Sequence, residues 1–362
     1  MKAIVTAGGT GGHIYPALAI INKIKEQEPN SEILYIGTKD RMEADIIPKN
    51  NIPYLGIEMK GLNRKNPFKN ISVLTNTLKN VKYLKKEIKK FNPDVVIGVA
   101  GYVTAPVIYA AKKLGYKTFI HEQNSIPGLS NKFLSRYADK IGISLEASKE
   151  YFPSKKTVFT GNPRSEEVVS GIKEDKKSLG LDLNNNKKLV LIVMGSLGST
   201  TMNKKLKETL PLFKNKDYEV VFVTGKGYYD EYKNISSSNN VKIVAYLDNM
   251  ASVLKNTDLI VSRAGASSIA EITALGIPSI LIPSPYVTHN HQYKNAKVLE
   301  KNGASIIIEE DTFDGNNLVS NIDKILNDKD LFMRLKNNSL KLGVRDSATK
   351  IYKLLKNMID GE

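Results

Sequence analysis

Short apolar runs alternate along the chain with longer stretches that have a helical repeat. In the first half the apolar runs are Lys2–Ala7, Glu32–Ile36, Pro53–Ile57, Asp94–Gly98, Lys117–Ile120, Lys140–Ile143 and Thr157–Phe159. Runs of this length bounded by turn residues are typical of strands that are buried on both faces of a parallel sheet. Apolar residues spaced by three and four lie between them, for example over Tyr15–Gln27 and Thr104–Leu114. This alternation predicts an α/β fold with a doubly wound parallel sheet.

The alternation pauses near Gly161-Asn-Pro-Arg164 and restarts after a polar run that ends at Lys188. The later predicted strands are Leu189–Met194, Glu219–Thr224, Val241–Val244, Asp258–Val261, Ser279–Ile282 and Ala304–Ile308. Two helices, roughly Asp330–Leu340 and Asp346–Met358, follow the last strand. We therefore predict two Rossmann-like domains, residues 1–161 and 162–342, and we expect the last helix, about 343–362, to pack back on the first domain.

Loops rich in glycine and polar residues fall where the predicted strands end. They are Gly8–His13, Gly98–Thr104, His121–Gly128, Gly161–Arg164, Gly195–Thr200, Gly225–Gly227, Arg263–Glu271 and Ser284–Gln292. In open α/β sheets, ligands bind beyond the carboxyl ends of the strands. Two domains that face each other would bring these loops to one central cleft.

The composition limits where the protein acts. The chain contains no cysteine, which excludes disulfides and thiolate metal sites. Its beginning leads directly into the first predicted strand, without the apolar region of a signal peptide. No apolar run approaches the roughly 18 residues that span a bilayer. We expect a cytoplasmic or peripheral protein.

The formal net charge is +16, and residues 60–90 carry ten Lys or Arg against a single acid, Glu87. Within this stretch six apolar residues repeat at spacings of three and four and predict one apolar helical face: Ile71, Leu74, Leu78, Val81, Leu84 and Ile88. The lysines could simply be solvated, in a chain that is rich in lysine throughout. They would also suit an anionic membrane surface or nucleic acid, and we expect the membrane surface, not nucleic acid, to be the partner of residues 60–90.

The segment Ala7-Gly-Gly-Thr-Gly-Gly-His13 follows the first predicted strand and precedes a helix. Its glycines allow a charged ligand to approach the backbone, and the N–H groups at a helix start attract anions. The dinucleotide-binding fingerprint does not fit, because Ile14 stands where its third glycine belongs, and no Gly-Lys-Ser/Thr follows as in a P-loop. His13 is a candidate general base, with a structural role as the alternative.

The segment Arg263–Glu271 has the pattern of a tight turn between a strand and a helix. Gly265 permits the turn, and the N–H groups of the following helix start would bind a phosphate or diphosphate. Glu271, about one turn further on, could accept hydrogen bonds from a ribose. An ordinary α/β turn is the alternative. The loop that begins at Gly195-Ser196 could hold a phosphate in the same way, or could simply cap a helix.

No metal and no other cofactor is predicted. His289-Asn-His291 has no acid close by in sequence, and Asp328-Lys-Asp330 is better explained as the cap of a late helix. The polar cluster His121–Gly128 suits a polyol substrate, and Gln292, Tyr293 and Asn295 are candidate sugar contacts.

Six motifs occur in an order that resembles the MurG family of peptidoglycan N-acetylglucosaminyltransferases over the whole chain. They are Gly8-Gly-Thr-Gly-Gly-His13, Gly101-Tyr-Val-Thr-Ala-Pro106, His121-Glu-Gln-Asn124, Thr160-Gly-Asn-Pro163, Gly195-Ser196 and Arg263-Ala-Gly-Ala-Ser-Ser-Ile-Ala-Glu271. The resemblance implies a GT-B fold and a metal-independent, inverting transfer of N-acetylglucosamine from UDP-N-acetylglucosamine. It implies as acceptor the 4-hydroxyl of a muramoyl-pentapeptide on undecaprenyl diphosphate, at the cytoplasmic face of the membrane.

The resemblance also implies residue roles. Thr10, Gly11, Gly12 and Asn124 would line the cleft, Arg164 and Ser196 would contact the donor phosphates, and Ala266, Ser267 and Ser268 would form the helix start under the diphosphate. Glu271 would bind ribose, Gln292 would bind the sugar hydroxyls, and the backbone at Leu247 would contact the uracil. For the displacement itself, His13 is our candidate base and Glu122 is the reserve. The chain departs from the family at Ala100 and Ala105, where glycine is common. It also departs at His291, where the family often has glutamine. The alternatives are a UDP-N-acetylglucosamine 2-epimerase or another GT-B nucleotide-sugar enzyme, and a non-enzymatic module that binds nucleotide or nucleic acid.

Overall fold

The computed structural model describes residues 1–59, 61, 70–195, 198–235, 238–287 and 290–361, with side chains outside 70–74. The chain divides into two compact α/β units. The first consists of Met1–Arg164 together with Asp346–Glu362, and the second of Ser165–Arg345.

The sheet of the first unit has seven parallel strands in the order β3-β2-β1-β4-β5-β6-β7. The strands are β1 (Lys2–Thr6), β2 (Glu32–Thr38), β3 (Tyr54–Ile57), β4 (Val95–Gly98), β5 (Lys117–Glu122), β6 (Lys140–Ile143) and β7 (Thr157–Phe159). The order of winding reverses between β1 and β4. The loops that follow these two strands therefore flank the crevice where doubly wound sheets bind ligands.

Helices cover both faces of this sheet. They are α1 (Gly11–Gln27), α2 (Met42–Lys49), α3 (Asn70–Phe91), α4 (Thr104–Lys113) and α5 (Leu129–Leu134), with short 3-10 helices at Glu146–Tyr151 and Ser154–Lys156. Helix α1 begins four residues before the predicted Tyr15. Thr10 is extended (φ −149°, ψ 156°), the helical backbone starts at Gly11, and Pro16 is accommodated inside the helix. Residues that the sequence pattern assigned to a loop therefore form the first helical turn.

The sheet of the second unit has six parallel strands in the order β10-β9-β8-β11-β12-β13. They are β8 (Lys188–Val193), β9 (Tyr218–Val223), β10 (Val241–Val244), β11 (Leu259–Ser262), β12 (Ser279–Leu281) and β13 (Ser305–Ile307). Its winding reverses between β8 and β11, so the loops after those strands flank the corresponding crevice.

The helices of the second half are α6 (Arg164–Ser170), α7 (Thr200–Thr209), α8 (Tyr229–Tyr232), α9 (Met250–Asn256), α10 (Ala266–Leu275), α11 (His291–Lys301), α12 (Gly315–Asn327) and α13 (Lys329–Leu342), with 3-10 turns at Lys176–Leu179 and Leu210–Phe213. The last helix, α14 (Ser347–Asp360), returns to the first unit. Its side chains Ile351, Leu355 and Met358 join the core beside α1, and the Tyr352 hydroxyl donates to Glu28.

The predicted α/β class and all thirteen predicted strands are confirmed in the described part of the chain. The capping role of Asp328 is confirmed as well, because its Oδ1 accepts the Leu331 N–H at 2.9 Å. Among the described residues, none of the helices combines the length and the apolar character needed to cross a bilayer.

The predicted apolar face of α3 is only partly correct. Leu84 and Ile88 are buried and Val81 packs against the same core, whereas Leu78 is 69% exposed. The side chains of Ile71 and Leu74 lie outside the described residues, as do Lys60, Arg64, Lys65 and Lys69. Among the described side chains, the helix therefore presents Leu78 to solvent and buries Leu84 and Ile88.

Candidate active site

His13 lies in the first turn of α1, at the crevice of the first sheet. Its Nδ1 is 2.9 Å from the Gly8 carbonyl oxygen. A carbonyl can only accept a hydrogen bond, so Nδ1 carries the proton. In the neutral ring the lone pair then resides on Nε2. This is the tautomer that a general base requires when it takes a proton through Nε2.

The preceding loop exposes backbone N–H groups beside His13. Gly9 has a φ of +91°, which suits glycine, and Thr10 is extended. The first amide hydrogen bonds inside α1 run from His13 and Ile14 to the Thr10 carbonyl. The N–H groups of Gly11 and Gly12 precede them and provide the anion-attracting start of the helix.

Glu43, in the first turn of α2, contacts this loop, and no motif in the sequence marks it. Its side chain is completely buried. Oε1 accepts from the Thr38 N–H at 3.2 Å and the Thr38 hydroxyl at 2.8 Å, and Oε2 accepts from the Gly9 N–H at 3.1 Å. Burial, and then the charge of Glu43, raise the pKa of Tyr35 and Tyr54. Glu43 thus joins the end of β2 to the glycine loop.

The loop after β4 packs directly against the glycine loop. Gly101 has a φ of +95°, and a Cβ placed on it would come within 2.5 Å of the Gly8 carbonyl oxygen. The Thr104 hydroxyl donates to the Gly101 carbonyl at 2.6 Å and fixes the start of α4. Glycine is therefore required at position 101 for both its conformation and the contact.

Glu122 ends β5 and is 1% exposed. Its Oε1 accepts from the Asn124 N–H at 3.0 Å and the Asn124 amide at 3.4 Å. Its Oε2 accepts from the Gly128 N–H at 3.2 Å and the Asn131 amide at 2.9 Å. Four donors hold the loop closed around this carboxylate. The arrangement favours a structural role for Glu122.

His121 is fully buried beside Glu122. Its Nε2 donates to the Gly161 carbonyl at 2.9 Å, and its Nδ1 accepts from the Gln123 amide at 3.1 Å. Burial lowers the pKa of His121 to about 4. The ring is therefore neutral and connects the end of β5 to the segment that precedes Arg164.

Arg164 lies over the ring of Tyr15, with 5.7 Å between the guanidinium carbon and the ring centroid. Its backbone N–H donates to Asn162 Oδ1 at 3.1 Å, and the Asn162 carbonyl accepts from the Ser347 hydroxyl at 2.5 Å. The last helix and the ring of Tyr15 thus help to place this cation beside the amino end of α1.

In the second unit, α10 starts at the crevice between β8 and β11. Gly265 is its N-cap and supplies no side-chain cap. The first amide bond inside the helix runs from Ile269 to Gly265, so the N–H groups of Ala266, Ser267 and Ser268 precede it. The buried Ser267 hydroxyl has no hydrogen-bond partner among the described residues. This start has the polarity that binds a phosphate.

Arg263, just before α10, is an internal support and not a ligand-facing residue. Its Nη1 is 2.6 Å from Oε2 of Glu310, and the two side chains are 8% and 2% exposed. Nη1 also donates to the Ile282 carbonyl at 3.1 Å, and Nη2 donates to the Ser199 hydroxyl at 2.8 Å. One guanidinium thus connects the segments that follow β8, β11, β12 and β13. Glu310 lies in an acidic run after β13, and no motif in the sequence marks it.

The remaining predicted residues lie along the same edge of the second sheet. Leu247, after β10, is 6% exposed, and Glu271 is half-buried one turn into α10. Gln292 is in the first turn of α11, where its Oε1 accepts the Ser284 N–H at 2.9 Å. Ser196 and His289 lie outside the described residues. Across the described ranges, no three His, Asp or Glu side chains are grouped to hold a metal ion.

The predicted residues thus form two groups, one at the carboxyl edge of each sheet. The first contains Thr10, Gly11, Gly12, His13, Glu122, Asn124 and Arg164, and the second contains Leu247, Ala266, Ser267, Ser268, Glu271 and Gln292.

Two family profiles match the chain. The glycosyltransferase family 28 N-terminal domain matches residues 3–143, and the glycosyltransferase family 28 C-terminal domain matches residues 189–351. Together they cover the glycine loop of the first unit and the α10 turn of the second.

Curated relatives match along the full chain. A protein of Bacillus cytotoxicus is 47% identical over 366 residues, which covers 99% of this chain and 100% of the relative. A protein of Bacillus licheniformis is 46% identical over 362 residues, with 99% of each chain covered. Both are named UDP-N-acetylglucosamine--N-acetylmuramyl-(pentapeptide) pyrophosphoryl-undecaprenol N-acetylglucosamine transferase.

Solved structures share the fold. MurG of Acinetobacter baumannii superposes with a TM-score of 0.79 at 24% identity, over 98% of this chain and 99% of that one. A UDP-GlcNAc 2-epimerase of Neisseria meningitidis, bound to UDP-GlcNAc, has a TM-score of 0.70 at 15% identity, over 99% and 100% of the two chains. At these identities the likeness establishes the fold alone.

Proposed function

Because the chain belongs to glycosyltransferase family 28, we propose that it transfers N-acetylglucosamine from UDP-N-acetylglucosamine to lipid I. Lipid I is the N-acetylmuramoyl-pentapeptide carried on undecaprenyl diphosphate, and the products are lipid II and UDP in peptidoglycan synthesis. The observation that carries this proposal is the 47% identity, along essentially the whole length of both chains, to a transferase named for this donor and acceptor. The epimerases share only the fold, at 15% identity or close to it.

The reaction we propose is a direct displacement. Nε2 of His13 takes the proton of the acceptor's 4-hydroxyl while that oxygen bonds to the anomeric carbon of the donor. The bond from this carbon to the β-phosphate oxygen breaks, and UDP leaves with the electron pair, so the configuration inverts. The hydrogen bond from His13 Nδ1 to Gly8 supports this role, because it leaves the lone pair on Nε2.

We propose that the start of α10 stabilises the negative charge that develops on UDP as it leaves. The N–H groups of Ala266, Ser267 and Ser268 are fixed before the reaction and need no reorganisation when charge accumulates on the leaving phosphate. Arg164 and Ser196 would add contacts to the donor phosphates. Support comes from the uncapped helix start and from the unpartnered Ser267 hydroxyl within the described chain.

The other roles divide between the two units. Thr10, Gly11, Gly12 and Asn124 would line the acceptor side in residues 1–161. Glu271 would bind the ribose, Leu247 the uracil and Gln292 the sugar hydroxyls in residues 162–342. For Gln292, the bond from the Ser284 N–H to Oε1 directs the amide nitrogen to donate elsewhere, as contact to a sugar hydroxyl requires.

We propose that the reaction takes place at the cytoplasmic face of the cell membrane, because the proposed acceptor is carried on a lipid. Helix α3 is the surface we assign to peripheral membrane contact, because exposed lysines lie beside two exposed apolar side chains, Leu78 and Tyr83. The exposed lysines are Lys79, Lys82, Lys86, Lys89 and Lys90. Cations with interspersed apolar groups suit anionic headgroups.

The test is to incubate the protein with radiolabelled UDP-N-acetylglucosamine and a lipid-linked muramoyl-pentapeptide, then extract the lipid fraction. We expect label in the lipid, none without acceptor, and a loss of roughly 10²–10⁴-fold in turnover for His13→Ala with UDP affinity retained. Labelled UDP-N-acetylmannosamine formed without acceptor would identify an epimerase instead. Absence of any turnover, together with salt-dependent nucleic-acid binding, would identify a binding module.

A further inference from the structure

Glu43 and His13 bind opposite ends of one peptide group. The Gly8 carbonyl accepts from His13 Nδ1 at 2.9 Å, and the Gly9 N–H donates to Glu43 Oε2 at 3.1 Å. This carbonyl and this N–H belong to the same planar peptide, which is trans. A trans peptide directs its C=O and N–H in opposite directions. The buried carboxylate and the imidazole are therefore joined through a single amide dipole.

The carboxylate is held in place from its other side. The Thr38 N–H and hydroxyl both donate to Oε1, so β2 orients the side chain while Oε2 receives the Gly9 N–H. The space that the Glu43 side chain occupies depends on two neighbouring glycines. A Cβ on Gly8 would lie 2.4 Å from Oε1, and a Cβ on Gly37 would lie 2.8 Å from Glu43 Cγ. The surroundings are too tight for Glu43 to reach a substrate itself.

A negative charge at the N–H end of a peptide polarises the group and makes its carbonyl oxygen a stronger acceptor. The stronger acceptor holds the proton on Nδ1 of His13 and stabilises the positive charge that the ring gains when Nε2 takes a proton. We infer that Glu43 is a positioning residue for His13, acting through the Gly8–Gly9 peptide as a carboxylate acts directly on histidine in a catalytic triad. The inference rests on the proposed function, in which His13 is the base.

The variant that tests this is Glu43→Gln, which keeps the shape of the side chain, removes its charge and replaces one of its two acceptor oxygens by an N–H₂ donor. Tyr54→Phe is the matched control, because it removes a neighbouring half-buried hydroxyl, bonded to the Thr38 carbonyl, and leaves the Glu43–Gly9 and Gly8–His13 bonds unchanged. Circular dichroism and UDP affinity establish that both variants fold. With lipid I and UDP-N-acetylglucosamine, we expect Glu43→Gln to lower kcat about ten-fold, as when a charge-assisted hydrogen bond becomes a neutral one. KM for the donor should stay unchanged, and Tyr54→Phe should retain wild-type kcat.

The second readout does not depend on activity. The chain has four histidines, so the ¹⁵N signals of His13 can be assigned by comparison with His13→Ala. In the wild-type protein the neutral His13 ring should carry its proton on Nδ1, and in Glu43→Gln the neutral ring should be a mixture of both tautomers. Wild-type protein with the proton on Nε2 would overturn the inference, even if Glu43→Gln failed to fold.

The outcomes separate the inference from the function on which it rests. If the wild-type protein does not label lipid, the proposed function is wrong. If it labels lipid but His13→Ala retains its turnover, the base is wrong. If His13→Ala is inactive while Glu43→Gln matches Tyr54→Phe in kcat and keeps the wild-type tautomer, the function stands and the role of Glu43 is overturned.

Discussion

Ala100 has a left-handed backbone, with a φ of +61°, in the loop that packs on the glycine loop. The Cβ of an L-residue is crowded in this conformation, which costs about 1–2 kcal/mol. Ala100→Gly should therefore raise the free energy of unfolding by about 1 kcal/mol, after allowing for the extra chain entropy of glycine. Denaturant titration, with an unchanged m-value, measures the effect.

The matched comparison is Ala105→Gly. Ala105 lies inside α4, where the helical backbone favours alanine, so this substitution should lower the free energy of unfolding by about 1 kcal/mol. The sequence showed that both positions depart from glycine in the family. Only the backbone conformation separates the strained alanine from the favourable one. If both substitutions changed the free energy of unfolding in the same direction, backbone strain at Ala100 would not be the cause.

His121 makes stability depend on pH. Burial lowers its pKa to about 4 in the folded protein, compared with 6.5 when it is unperturbed. Between these values the unfolded chain binds the proton more readily, so stability is fully present above pH 6.5 and is lost as pH falls towards 4. The loss assigned to this residue is about 2 kcal/mol between pH 7.5 and pH 5.

The measurement is the free energy of unfolding at both pH values, for wild type and for His121→Gln. The glutamine amide can still donate to the Gly161 carbonyl but does not titrate. The variant should therefore lack about 2 kcal/mol of the pH dependence. Equal dependence in the two proteins would show that other groups cause it.

The two carboxylates most informative about the loops, Glu43 and Glu310, could not have been found from the sequence. Glu43 lies two residues before Asp45, and Glu310 lies between Glu309 and Asp311. Acidic residues in such sequences ordinarily face solvent. Both are buried because of partners far along the chain: Gly9 for Glu43, and Thr201 and Arg263 for Glu310. His13, in contrast, could be proposed because its glycine loop is a local pattern.

At the scale of elements, the Arg263–Glu310 ion pair holds the loops around α10 together. Removing one partner of a buried pair leaves an uncompensated charge, so Glu310→Leu should cost about 3–5 kcal/mol. The double variant Arg263→Met with Glu310→Leu removes both charges and should regain most of that loss. Chemical denaturation of the wild-type, single and double variants measures it.

Affinity for UDP provides a second test of the same pair. If Arg263 orders the start of α10, the double variant should regain stability without regaining the full UDP affinity, because the Ser199 and Ile282 contacts of the guanidinium are lost. A double variant no more stable than Glu310→Leu would contradict the account of an uncompensated charge.

Strands were more predictable than helix starts. A buried parallel strand is a short apolar run, and this signal is local. The start of α1 depends on the extended Thr10 and on a Pro16 tolerated inside the helix, which a rule placing proline at the first helical position cannot anticipate. The helical repeat of α3 predicts which side chains share a face, but it does not show which of them the core covers. Leu78 is on the predicted face and is exposed.

At the scale of the whole molecule, the GT-B fold repeats one device: a parallel sheet with a ligand crevice where its winding reverses. The alternation of strands and helices made this predictable, and so did the glycine loops at both crevices. The excess positive charge does not repeat between the two units in this way, because it concentrates around α3. The net charge of +16 alone does not distinguish a membrane-binding surface from a generally basic chain.

Replacing three exposed lysines of α3, in the variant Lys82→Gln/Lys86→Gln/Lys89→Gln, should separate these two explanations. Each lysine near an anionic surface contributes about 1 kcal/mol, so the triple variant should bind vesicles containing phosphatidylglycerol about 100-fold more weakly. Sedimentation with vesicles at about 0.1 M salt measures the partition coefficient. At about 1 M salt the wild-type protein should lose most of its binding, because screening shortens the range of the attraction.

The control is Lys324→Gln/Lys329→Gln/Lys341→Gln, which removes the same charge from exposed positions on α12 and α13 of the other unit. Binding that depends on net charge would weaken equally in the two triple variants. Binding through α3 would weaken only in the first, and there the lipid-linked acceptor should show a raised KM in vesicles while UDP affinity stays unchanged. Equal losses would remove α3 from the proposed membrane contact and leave the transfer reaction in place.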